Sequence, residues 1–312
     1  MLAAVATQTE PRTPQGGGRA AAAASALTAA ALWGGMYVVS KDTFSEIPPI
    51  TLGAVRLILA AAGLFAFLRA RGPLRRPHDA SLVVAGVLLA ITMVVQFVGT
   101  DLATASAGAV LTTTTPLFLV PLAWVFLHER PGWKTVVAVA VGMAGVLLAV
   151  EGGEATARGP WGAVLLLLSA ATWAAYTIAS APVARRDGPL VAVAWACVYA
   201  VPIVLALSLF ETGRWTVAAF TDGSTMLAIA YLGLASGAAA WLLWIRGVAG
   251  LPAAVVGAFF FVQPIVGGAL ARVFLDERLT LRFAAGAAMI LIGVVLALGG
   301  SRDAVPQREE TR

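Results

Sequence analysis

Val125-Phe126-Leu127-His128-Glu129-Arg130 is answered further along the chain by Val273-Phe274-Leu275-Asp276-Glu277-Arg278. The match is in register: Pro116, Glu129, Arg130 and Gly145 recur at one constant spacing as Pro264, Glu277, Arg278 and Gly293. Gly145-Val146-Leu147-Leu148-Ala149 likewise reads against Gly293-Val294-Val295-Leu296-Ala297. The chain is therefore an internal duplication. Five hydrophobic segments fall within each copy, and an odd number of crossings sends the second copy into a bilayer from the opposite side. The copies are expected to be inverted repeats, a construction common among secondary transporters.

Composition places the chain in a membrane. Hydrophobic residues make up 60% of 312 and charged residues 12%, against about 45–50% and about 25% in soluble domains. Apolar runs long enough to cross about 30 Å of hydrocarbon lie near 21–40, 50–68, 82–100, 105–127, 133–150, 161–181, 190–210, 226–245, 253–275 and 283–299. They lack the period-two alternation of barrel strands, and backbone polar groups in lipid must be satisfied within the segment, so they read as helices. The expected fold is an all-α integral membrane protein of ten transmembrane helices, arranged as two inverted five-helix repeats over 21–150 and 160–299. Residues 1–20 and 301–312 read as polar cytoplasmic tails, the first disordered.

A net charge of +5 does not point to nucleic acid, because the basic residues sit beside the span ends. Counted by alternating loops, fourteen Lys and Arg fall on the side of Arg69, Arg71, Arg185 and Arg186, and five on the side of Lys41, Arg158 and Arg214. By the positive-inside rule both termini are cytoplasmic, and the plasma membrane is the expected location. The single cysteine, Cys197, excludes an intrachain disulfide.

Gly/Ala-rich spans closed by a hydrophobic-Glu-Arg turn, duplicated in register with Pro116 and Pro264, resemble the EamA family of the drug/metabolite transporter superfamily. The resemblance covers about residues 25 to 299. It implies an inverted-repeat, ten-helix carrier of small metabolites, often amino acids or their relatives, and frequently an exporter.

The candidate site residues each admit two readings. Glu129 and Glu277 follow the fourth and ninth spans; a carboxylate there suits the positive end of the next helix dipole, a structural role, and transport chemistry is the alternative. Pro116 follows Thr112-Thr113-Thr114-Thr115, and Pro264 follows Gln263 and Phe259-Phe260-Phe261. Each proline is expected to kink its span and free carbonyls for hydroxyls, water or a ligand, marking a midplane cavity; a packing kink is the plainer reading. Trp33 and Tyr37 in the first span, with Trp173 and Tyr176 in the sixth, lie inside their runs. They suit a cavity lining as well as an interfacial belt, whereas Trp241 and Trp244 read as belt residues.

Arg56 and Gln96 are the strongest polar intrusions. Arg56 could hold a substrate carboxylate, but snorkelling or bonding to exposed carbonyls competes. The substrate-facing set is thus Trp33, Tyr37, Arg56, Gln96, Thr112, Thr115, Trp173, Tyr176 and Gln263. Arg272 is read as snorkelling toward Asp276 or Glu277. Gly233-Leu234-Ala235-Ser236-Gly237 puts two glycines on one helix face, for contact within the chain or between copies in a homo-oligomer.

No phosphate-cradling Gly-x-x-x-x-Gly-Lys-Ser/Thr occurs, both histidines, His78 and His128, read as loop residues, and no metal-ligand motif is present. No cofactor or metal is expected, and no carboxylate is expected at mid-membrane. The reading is a secondary transporter of a small neutral or zwitterionic solute, with a membrane-embedded enzyme or a non-transporting scaffold as the alternative class.

Overall fold

The computed structural model describes residues 16–72, 79–103, 105–149, 160–214, 217–274 and 281–300. Every regular element among them is helical. In order these are α1 (Gly16–Gly34), α2 (Met36–Thr43), α3 (Pro49–Ala70), α4 (Ala80–Leu102), α5 (Ala105–Thr112), α6 (Thr115–Leu127), α7 (Trp133–Ala149), α8 (Trp161–Arg186), α9 (Pro189–Ser208), α10 (Gly223–Ala230), α11 (Ala240–Gly250), α12 (Ala253–Gly257), α13 (Val262–Phe274) and α14 (Leu281–Gly300). A wide π-helical stretch, Tyr231–Ala239, joins α10 to α11, and a tight turn of 3-10 helix, Ala258–Phe261, joins α12 to α13.

Local chemistry sets the ends. Pro49 and Pro189 open α3 and α9 at a position where a missing N–H costs nothing. Asp79 caps α4 through the N–H of Ser81, and Asp222 caps α10 through that of Thr225. Gly188 takes φ 97°, a left-handed turn between α8 and α9 that a side chain would strain.

Among the described residues, six helices are long and apolar enough to cross a membrane: Gly18–Thr43, Pro49–Ala70, Ala80–Leu102, Trp161–Arg186, Pro189–Glu211 and Gly223–Gly250. Thr115–Leu127, Trp133–Gly145, Ala253–Gly267 and Ala288–Ala297 are shorter apolar stretches. The outer surface is apolar too, with Trp124, Phe126, Trp133, Trp161 and Leu227 exposed. Water would penalise so much contiguous apolar surface, whereas lipid matches it. The chain is a multi-span membrane protein.

Helices meet through small residues, because lipid gives no hydrophobic drive for their association and close van der Waals contact must supply it. In the α7–α14 pair a Cβ on Gly145 would lie 2.7 Å from the carbonyl oxygen of Gly286, and one on Gly293 would lie 2.9 Å from that of Ala138. Those two contacts exchange under the same spacing that relates the duplicated sequence. Elsewhere α1 packs on α11, α4 on α8 and α3 on α9. The Gly233 and Gly237 face lies against Leu59 and Ala60 of α3, so that close contact is internal to the chain.

Two spans depart from a simple kink. Pro116 stands at the second position of α6, after a break at Thr113–Thr114 that ends α5. The proline starts a new helix instead of bending one, since its fixed φ suits the first turn. Pro264 follows the 3-10 turn in the same way, with the Val262 N–H bonded to the carbonyls of Phe259 and Phe260. Glu277 and the rest of 275–280 lie outside the described residues, as do 1–15, 301–312 and the side chain of Arg272.

Candidate functional site

The break before Pro116 leaves carbonyls that its threonines answer. Thr112 Oγ1 donates to Gly108 O at 2.7 Å, Thr114 Oγ1 to Leu111 O at 2.6 Å and Thr115 Oγ1 to Thr112 O at 2.7 Å. A hydroxyl has one proton, so Thr112 is the acceptor in its 2.5 Å bond with Tyr37 OH. Gln96 Nε2 in turn donates to Tyr37 OH at 3.1 Å. This relay holds α2, α4 and the α5 end in one register.

The π-helical stretch does the same for the other half. A π turn spaces carbonyls away from their usual donors. Arg56 takes two of them, Nε to Leu232 O at 3.0 Å and Nη2 to Ser236 O at 2.9 Å. Trp33 Nε1 donates to the same Ser236 carbonyl at 2.8 Å, and Tyr231 OH donates to Leu32 O at 2.5 Å. The Arg56 guanidinium also lies over the rings of Phe97 and Trp241, 5.4 and 5.1 Å from their centroids. Of the readings of Arg56, bonding to exposed carbonyls is present, and snorkelling is ruled out by an exposure of 1%.

Trp33 stacks on Phe260 at 5.5 Å and meets Trp173 edge-on at 5.1 Å. Trp244 completes this cluster, 4.5 Å from Phe260, with its Nε1 donating to Thr177 Oγ1 at 3.1 Å. Trp241 and Trp244 are fully buried. The belt assignment for these two is therefore corrected: α11 turns them inward because α1, α8 and Arg56 offer aromatic and polar partners that the membrane surface does not.

The structure brings Trp33, Tyr37, Arg56, Gln96, Thr112, Thr115, Trp173 and Gln263 to one central cavity of about 20 Å³, room for about one water. Tyr176 lies behind Trp173, 5.0 Å away, and does not line it. The wall also includes Met36, Met93, Ser169, Ala170, Trp241 and Phe260, which sequence reasoning missed. Of these, Trp241 had a usable signal, an aromatic one helical turn beyond the small-residue Gly233–Gly237 face. Three buried polar atoms of the wall have no partner among the described residues: Arg56 Nη1, Trp173 Nε1 and Gln263 Oε1.

Polar contacts tie the bundle at both ends. At one, Glu129 accepts from the Ala253 N–H at 2.8 Å and pairs with Arg185, and Asp79 meets Arg186 at 3.1 Å. Glu129 thus serves the start of α12 in the other half, not the helix that follows it. At the opposite end Glu211 accepts from the backbone and hydroxyl of Thr51, and Lys41 Nζ donates to the carbonyls of Thr100, Asp101 and Ala103. Asp42, Glu46 and Asp222 line a polar bowl there of about 490 Å³. Gly257 of α12 sits 3.7 Å, by its would-be Cβ, from Pro116, so the two broken spans touch.

A family model described as "EamA-like transporter family" matches residues 20–150 and again 160–299. The uncharacterized inner membrane transporter YedA of Escherichia coli (strain K12) is 26% identical over 241 residues, covering 75% of this chain and 76% of YedA. The uncharacterized transporter YdeK of Bacillus subtilis (strain 168) is 27% identical over 279 residues, 87% of this chain and 93% of YdeK. A solved crystal structure superposes with a TM-score of 0.75 at 23% identity, covering 90% of this chain and 98% of its own. That last likeness is one of fold.

Proposed function

The chain belongs to the EamA-like transporter family, and from that premise we propose that it is a secondary transporter working by alternating access around the central cavity. Transport at the family level, and not enzyme chemistry, is what the family and the relatives' names indicate. The finer reading is ten crossings in two inverted repeats, 21–150 and 160–299, with tails 1–20 and 301–312 and both termini cytoplasmic in the plasma membrane. The doubled family match and the exchanged Gly145–Gly286 and Gly293–Ala138 contacts support it.

One observation carries the proposal. The cavity wall draws Tyr37, Arg56, Gln96, Thr112 and Thr115 from the first half and Trp173, Trp241, Phe260 and Gln263 from the second. A site built between halves is loaded and unloaded when the halves rock, and helices broken at matching places beside it are the expected pivots. The solute is small and neutral or zwitterionic, such as an amino acid, and the direction is export. The site residues act as its binding wall, and Pro116, Pro264, Glu129 and Glu277 as structural elements of the moving parts.

The test compares metabolites inside and outside cells that overexpress or lack the protein, followed by counterflow of the hits in proteoliposomes. Trans-stimulated uptake of at least one hit is expected. No flux of any hit through well-inserted protein rejects the proposal in favour of a scaffold.

A further inference from the structure

Resting on the transport reading for its purpose and replacing its neutral solute by one that bears a carboxylate, we infer that the central cavity is a carboxylate site in which Arg56 and Trp173 hold the acid group of a monoanionic or zwitterionic solute. Arg56 is 1% exposed and its Nη1 has no partner among the described residues. A buried cation is costly unless paired, and among the described residues no carboxylate lines the cavity. Two carbonyls and two ring faces lower that cost without cancelling the charge.

The unmet hydrogen bonds point the same way. Guanidinium and indole nitrogens only donate, so Arg56 Nη1 and Trp173 Nε1 ask for an acceptor. A carboxylate supplies two oxygens and one negative charge, matching two donors and one positive charge. A phosphate, at close to two charges, would be left under-compensated. Gln263 Oε1 is available to an N–H of the solute when it has one, so an amine is accepted but not required. The rings of Trp33, Trp173 and Phe260 give an apolar wall for the remainder. At about 20 Å³ the cavity must widen to admit such a molecule, as alternating access already demands.

The test holds shape constant and varies the head group. Tryptophan fluorescence of the purified full chain in detergent, where four of its tryptophans surround the site, is titrated with 3-phenylpropionate, 3-phenylpropanamide and 2-phenylethylammonium. The carboxylate is expected to bind at least tenfold tighter than the amide, and the ammonium weakest. Arg56→Gln should bring the carboxylate down to the level of the amide, and Arg56→Lys should restore part of the preference. The wild-type ranking decides the matter if Arg56→Gln does not fold. Equal or tighter binding of the amide or ammonium, no binding of any of the three at millimolar concentration, or an unchanged preference in Arg56→Gln would overturn the inference. Detergent binding needs no second compartment, so its failure is separate from a failure of flux in proteoliposomes.

Discussion

Glu129 Oε2 accepts a 2.8 Å hydrogen bond from the backbone N–H of Ala253, the first residue of α12, while its other oxygen pairs with Arg185. The start of α12 needs this help, because its N-cap, Pro252, offers no side-chain acceptor. The carboxylate therefore replaces a local cap from across the molecule. Glu129→Gln keeps an acceptor and loses the charge, while Glu129→Ala loses both; losses of about 0.5 and about 1–2 kcal/mol are expected. Thermal unfolding of the purified variants should show that order, with solute affinity of the surviving protein near wild type. An affinity loss at unchanged stability would move Glu129 into the transport chemistry.

The α7–α14 seam should tolerate little added bulk. Both Gly145 and Gly293 face backbone atoms, which cannot swing away as a side chain tip can. Gly145→Leu and Gly293→Leu should each cost about 1–3 kcal/mol, and by similar amounts, because the two contacts are equivalent. Thermal stability in detergent measures this. A large loss at one position and none at the other would refute the equivalence.

This seam also illustrates what could be read from the sequence. Gly145 and Gly293 stood in register, so their equivalence was legible, and so were six long apolar spans and most of the polar wall, because a polar or aromatic residue inside an apolar run needs a partner. Arg56 was legible as a problem but not in its solution. The acceptors are carbonyls of Leu232 and Ser236, released by a π-helical stretch that no side-chain pattern announces. Trp241 and Trp244 were misplaced because distance along a span suggested the interface, whereas rotation around the helix axis turned them toward α1 and α8. The cap of α12 by Glu129 depends on a long-range fold, and the glutamate's neighbours in sequence pointed to the wrong helix.

Acid should weaken the helix caps. The Ser81 hydroxyl and backbone N–H beside it, then Arg186, hold the Asp79 carboxyl below its usual 3.8, so its folded pKa is lowered. A lowered folded pKa gives stability that is present above the unfolded value and lost as pH falls through the folded one. The stability gap between wild type and Asp79→Ala should be constant near neutrality and close below about pH 4. A gap that persists unchanged to pH 3 would show that the cap acts without its charge.

Transport is expected to run without protons. Proton-driven carriers commonly use a buried, poised Asp, Glu or His, and among the described residues the cavity wall holds none. Exchange in proteoliposomes should survive collapse of an imposed pH gradient. Asp42, in the polar bowl, and Asp101, near the end of α4, are the places to look otherwise. Accumulation that requires the gradient and vanishes in Asp42→Asn or Asp101→Asn would make the carrier proton coupled.

The most direct test of the account asks whether the cavity opens to each side in turn. A cysteine replacing Gln263, which is buried and faces the cavity, is introduced with Cys197→Ser, and a small membrane-impermeant thiol reagent is applied to right-side-out and to inside-out vesicles. Alternating access predicts labelling from either face, slowed on both by a saturating transported solute. Labelling from one face only, or from neither, would contradict it.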